Sequence, residues 1–150
     1  MKKQNLIRLV YGLLRIGLGA LMIYAGNEKL KNPIPTPKQH VEKLTEYVES
    51  DNDQYLAISA YMGGMKVTGF AYQLLAISEI VFGLLLFIQF TSFIGAIFLI
   101  PITLHIFLFH VFLKGDELNE VIQTGIYFLV NLLLITKEHQ RWRHLLWIKP

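Results

Sequence analysis

Five polar side chains lie within stretches that are otherwise apolar, and these are the residues able to do chemistry: Arg15, Glu79, His105, Tyr127 and Asn131. A hydrocarbon layer tolerates an isolated guanidinium poorly, so Arg15 demands a partner of opposite charge elsewhere in the chain. Glu79, in the run AISEIVFG, meets that demand, because either charge alone would stand uncompensated at low dielectric. His105 adds an imidazole that can accept or pass a proton near neutral pH, as quinone or proton chemistry requires. Tyr127 and Asn131, one helical turn apart, add hydrogen-bonding groups. Together the five would form the polar head of a pocket for an amphiphilic, quinone-like molecule, bound without a covalent link. Two plainer roles stay open: an Arg15–Glu79 pair that only fixes helix register, and a His105 bonded to the backbone that Pro101 opens.

Other chemistries find less footing. His105 and His110 are five residues apart, about 140° around a helix, so they do not chelate one ion as an i, i+4 pair would, and no metal site is expected. His40, His139 and His144 fall in polar segments and are assigned to solvent. With no cysteine, the chain has no disulfide, no thiolate nucleophile and no Cys-ligated cluster. No catalytic residue is assigned. The net charge of +3 comes from basic residues at the edges of apolar runs, which points to membrane boundaries and away from nucleic acid.

The elements that must position these residues follow from composition. At 53% hydrophobic and 17% charged, with ten Phe and seven Tyr in 150 residues, the chain carries more apolar side chains than so small a soluble globule could bury. Lipid must cover the excess. The expectation is an all-α membrane protein, a single membrane domain over residues 1–150: a four-transmembrane-helix bundle with a short extramembrane amphipathic helix or helices between the first and second spans. The spans are placed at residues 6–26, 70–90, 93–113 and 120–136. The first is about 31 Å long and contains Arg8 and Arg15, which separates it from a cleavable signal peptide. Gly12, Gly19 and Gly26 recur every seven residues, a seam along which a neighbouring helix can approach closely.

Residues 27–68 form the one long polar region. Thr36, Pro37 and Gln39 make a helix-start signature, and Val41, Leu44 and Val48 share one face of the helix that follows, suited to the membrane surface. The run YLAISAYMGGM is too short to span and reads as a helix packed on, or dipping into, the membrane face. Pro101 frees the Ile97 carbonyl and bends the third span. The basic tail, 137–150, carries Trp142 and Trp147 as interfacial anchors.

Depth can be counted along the helices from the tight Thr91-Ser92 turn. Glu79 then lies roughly 17 Å in and His105 roughly 20 Å, while Arg15 lies about 14 Å in from Leu6, and Tyr127 and Asn131 lie about 14 Å and about 8 Å back from Thr136. All four spans thus bring a polar group toward one mid-membrane site. Four spans put both termini on one face. Lys2, Lys3, Arg8, Lys137, Arg141, Arg143 and Lys149 crowd the helix ends there, so the termini are expected to be cytoplasmic, in a bacterial inner membrane.

The run RIGLGALMIYAGNEKL resembles the first helix of the DoxX-like membrane proteins, with Arg15, Gly19, Gly26 and Lys29 at the matching positions. EIVFGLLLF resembles that family's second helix, through Glu79 and Gly83. The resemblance implies a four-helix membrane bundle connected with quinone-linked oxidoreductase assemblies, since the family takes its name from small subunits of a thiosulfate:quinone oxidoreductase. A membrane or peripheral oxidoreductase subunit would be the partner, with a homo-oligomer as a further form. A related animal branch acts in receptor assembly. The alternative expectation is therefore an assembly factor or chaperone that offers its polar seam or extramembrane helices to other membrane helices, with the glycine seam as the interface, and keeps a purely structural ion pair.

Overall fold

A computed structural model describes residues 2–137. The basic tail beyond them, with His139, His144, Trp142 and Trp147, lies outside the described residues. Among the described residues there are six helices and no strand: α1 (Lys2–Lys31), α2 (Pro37–Glu49), α3 (Asp53–Val67), α4 (Ala71–Phe87), α5 (Ser92–Leu113) and α6 (Leu118–Lys137). Three are long and apolar enough to cross a membrane: α1 from Gln4, α5 and α6. A fourth span is counted if α3 and α4, which meet at 85°, are taken as one broken element. The chain is thus an all-helical membrane protein with three to four candidate spans.

α1, α4, α5 and α6 lie antiparallel in sequence around one core of Leu18, Met22, Leu86, Ala96, Leu99 and Leu134. Leu9, Leu13, Leu74, Val81, Leu84 and Phe98 point outward and are exposed, as the lipid-facing surface of a bundle must be. Lipid gives membrane helices no hydrophobic drive toward each other, so close packing through small residues has to hold them. α1 and α4 show how. A Cβ on Gly19 would stand 2.8 Å from the Gly83 carbonyl oxygen, and one on Gly26 would stand 2.5 Å from that of Ala76. Backbone cannot yield as a side-chain tip can. The seven-residue seam is therefore real at Gly19 and Gly26, but Gly12 faces open space, with nothing within 4 Å.

Between α1 and α4 the polar region folds as a helical hairpin. Thr36 and Gln39 form the capping box that starts α2: the Gln39 N–H donates to Thr36 Oγ1 at 3.3 Å and the Thr36 N–H to Gln39 Oε1 at 2.9 Å. Asp51, with φ 54°, reverses the chain, and Asn52 caps α3 by accepting from the Tyr55 N–H. Tyr47 and Tyr55, tilted rings with centroids 6.0 Å apart, and the His40 ring set close against Gly63 tie α2 to α3. Val41 and Val48 of α2 remain exposed, covered by no protein. α3 then turns into α4 at Gly69, whose φ of +76° suits glycine, with Thr68 Oγ1 accepting from the Ala71 N–H at 3.1 Å. α3 packs on both α4 and α5.

The far end of the first helix differs from the sequence expectation. α1 continues past Gly26 to Lys31, because nothing in GNEKLK breaks a helix and the Asn32 side chain and backbone close its last turn onto Glu28 and Lys29 carbonyls. α5, Ser92–Leu113, covers the expected third span at 93–113 and stays helical through Pro101.

Candidate functional site

The buried carboxylate of Glu79 has a partner, but it is Lys29 and not Arg15. Lys29 Nζ lies 2.6 Å from both Glu79 oxygens, with the carboxylate side chain fully buried and the lysine side chain 18% exposed. Packing register explains the exchange. Gly19 and Gly83 face each other across antiparallel helices. Arg15 is one turn from Gly19 toward one end of the bundle, and Glu79 is one turn from Gly83 toward the other, so the two are offset by about 12 Å along the axis. Lys29 comes from the extra turn of α1, and its long side chain runs back toward the helix N-terminus, as helical side chains do, to reach the carboxylate.

His105 is brought to the same end of the bundle. Its Nε2 is hydrogen-bonded to the Tyr61 hydroxyl of α3, the two rings lying 5.7 Å apart, and Tyr61 also packs on Phe109 at 5.8 Å. This bond is to a side chain, so the expected alternative, a histidine tied to the backbone near Pro101, does not describe it. His105 also closes one end of a lateral cleft of 350 Å³ between α3, α4 and α5, walled by Met65, Leu74, Leu75, Pro101 and Ile102, with Ser78 as its other polar group.

The remaining three candidates stand elsewhere. Asn131, fully buried, donates from Nδ2 to Thr103 Oγ1 at 3.1 Å, and Thr103 passes a hydrogen bond on to the Leu99 carbonyl at 2.9 Å. The Asn131 Oδ1 has no partner among the described residues. Tyr127 packs its ring on the apolar core and directs its hydroxyl to Gln123 of the same helix. Arg15 lies at the opposite end, where it lines a cavity of 490 Å³ with Arg8, Lys137, Gln89 and Ser92. The single five-residue site is thus divided: Glu79 and His105 share one end, Asn131 belongs to the α5–α6 packing, Tyr127 packs on the core, and Arg15 belongs to the terminal end.

Sequence reasoning missed Lys29 and Tyr61. Lys29 had a signal: it stands three residues after Gly26, on the seam face, where an inward lysine can meet a carboxylate on the neighbouring helix. Tyr61 had none, since its meeting with His105 depends on how the inserted hairpin folds back. A further ionic group joins α5 to α6, where Lys114 Nζ is 2.8 Å from Glu120 and 3.5 Å from Glu117, and His110 Nε2 is 3.3 Å from Glu120. The hydrogen bond to Glu120 holds the Lys114 ammonium above the usual lysine pKa.

In comparison with known families, the model described as DoxX aligns with residues 10–111, about two thirds of the chain. That segment contains Arg15, Lys29, Tyr61, Glu79 and His105. No curated protein and no solved structure matches the chain.

Proposed function

Because the chain belongs to the DoxX family, we propose that it is a four-span integral membrane accessory subunit that holds a quinone or another lipid-like molecule in the cleft between α3, α4 and α5. The observation that carries this reading is the cleft's composition: apolar walls along its length, and His105 with its Tyr61 partner at one end. Small-molecule sites are mostly apolar, with a few placed polar groups that fix orientation. A quinone fits such a site, since an isoprenoid-like tail suits the Leu74, Leu75 and Ile102 wall, and a ring carbonyl can accept a hydrogen bond at the His105–Tyr61 end. The Lys29–Glu79 pair keeps a charged group near that end.

In this reading α4 crosses the membrane as the second of four spans, which sets both termini on one side. The bilayer is a bacterial inner membrane and the termini are cytoplasmic, favoured by the cationic Arg8, Arg15 and Lys137 at that end. The molecule would be presented to a membrane or peripheral oxidoreductase subunit, with a homo-oligomer as the form in which the chain could act without one.

Extraction tests the reading. Protein purified in mild detergent should release a lipophilic molecule, detected by mass spectrometry at close to one per chain. His105→Ala and Glu79→Gln protein of unchanged helicity should release much less. A wild type with nothing to extract, or variants that retain as much, would overturn it. The alternative, an assembly factor using the glycine seam, loses its free surface at Gly19 and Gly26, which pack against α4 within the chain.

A further inference from the structure

At the terminal end of the bundle, away from the His105 cleft, α1, α6 and the α4–α5 turn enclose the 490 Å³ cavity, a size within the usual range of about 300–1,000 Å³ for small-molecule sites. Its polar lining is cationic: Arg8 and Arg15 lie on one face of α1, seven residues apart, and Lys137 comes from the end of α6. No carboxylate is among the described lining residues. Three cations facing one space repel each other, and that cost falls only when an anion enters.

Two details sharpen the point. The Arg15 Nε is buried with no hydrogen-bond acceptor among the described residues. Buried guanidinium nitrogens left without acceptors are costly, so such a group is prepared for an acceptor that arrives with a ligand. Lys137 Nζ sits 3.7 Å above the Tyr11 ring, a cation–π contact that holds the ammonium at the cavity edge. Leu86, Phe93 and Leu134 supply an apolar floor beside these charges.

We propose that this cavity binds an anionic phosphate group, with the Arg15 fork as its main contact and Arg8 and Lys137 as flanking charges. Guanidinium matches phosphate oxygens bidentately, which a point charge does not. The cavity lies at the end of the bundle that holds the α4–α5 turn, and its apolar floor suits a hydrocarbon chain attached to a bound headgroup. An anionic phospholipid and free phosphate share this chemistry and differ as sources.

Native mass spectrometry of the detergent-solubilised full chain, titrated with dioleoylphosphatidylglycerol or dioleoylphosphatidylcholine, tests the proposal. The anionic lipid should bind at least about tenfold tighter than the zwitterionic one, a difference of about 1.4 kcal/mol. Arg15→Gln should remove that preference and Arg15→Lys should retain part of it, with circular dichroism confirming that each variant is folded. Arg8→Gln, at an exposed position, should weaken it in a protein with little risk of misfolding. Competition by inorganic phosphate identifies free phosphate as a sufficient ligand, whereas its failure, with Arg15 dependence kept, identifies the lipid. Equal binding of the two lipids to wild type, or a full preference in folded Arg15→Gln and Arg8→Gln, would overturn the proposal. His105→Ala should leave this preference unchanged, so the outcome is independent of the cleft.

Discussion

Lys29 reaches back along α1 to bracket the Glu79 carboxylate, its ammonium 2.6 Å from each oxygen. The two partners are unequal, since the carboxylate side chain is fully enclosed while the lysine keeps 18% exposure. Removing one member of a buried pair costs roughly 3–5 kcal/mol because the other charge is stranded. A stranded lysine can extend its stem toward the surface, but a stranded Glu79 cannot move out of the helix seam. Lys29→Met should therefore lower the melting temperature in detergent more than Glu79→Gln does. The double variant should recover most of the Lys29→Met loss, as a double-mutant cycle would read.

Gly26→Ala should be damaging and Gly17→Ala harmless. The added Cβ meets the Ala76 carbonyl and Ile80 in the first case and nothing within 4 Å in the second. Overpacking of this kind costs about 1–3 kcal/mol, with more where backbone is the obstacle. Thermal unfolding of the two proteins side by side checks the contrast. Equal losses would mean that α1 and α4 do not meet along Gly19 and Gly26.

Asn131→Leu should cost little despite complete burial. It removes one interhelical hydrogen bond, to Thr103, a type worth about 0.6 kcal/mol on average between membrane helices. It also removes an Oδ1 that has no partner among the described residues. The expected change is within about 1 kcal/mol, measured by denaturant or thermal unfolding. A loss of several kcal/mol would assign Asn131 a partner or ligand outside this packing.

The ionic group at the α5–α6 turn predicts an alkaline sensitivity. Lys114 holds its proton more tightly in the folded chain than in the unfolded one, chiefly through Glu120. Its contribution is therefore complete below the usual lysine pKa and is lost as pH rises through the raised folded value. The side chain is 26% exposed, so the contribution is less than about 1 kcal/mol. Wild type should melt slightly above Lys114→Met at about pH 9, and the gap should close by about pH 12, beyond the usual lysine range. A gap that widens with pH would contradict the assignment.

The family, the helical class, the polar insertion and the Thr36–Gln39 cap were legible because each depends on local pattern or composition. The pairing of charges was not. Counting depth from Leu6 assumed helices with flush ends, whereas α1 extends to Lys31 and its register against α4 is set by Gly19 on Gly83. That register sets Arg15 about two turns from Glu79, and Lys29, past the carboxylate on the other side, reaches back to it. Glu79 and His105 did come to the same end, since both were counted from the same tight turn at Thr91-Ser92. Tyr61 stayed hidden because only the fold-back of α3 brings it to α5.

The 85° break at Gly69 lays α3 across the flank of α4 and α5 like an eave, leaving the cleft's mouth between exposed Leu74 and Pro101 on the side of the bundle. In the proposed four-span arrangement, a molecule entering there would arrive from the acyl-chain region without passing through water. Its occupancy would follow its mole fraction in the bilayer, so dilution with inert lipid would empty the cleft while dilution of the suspension with buffer would not.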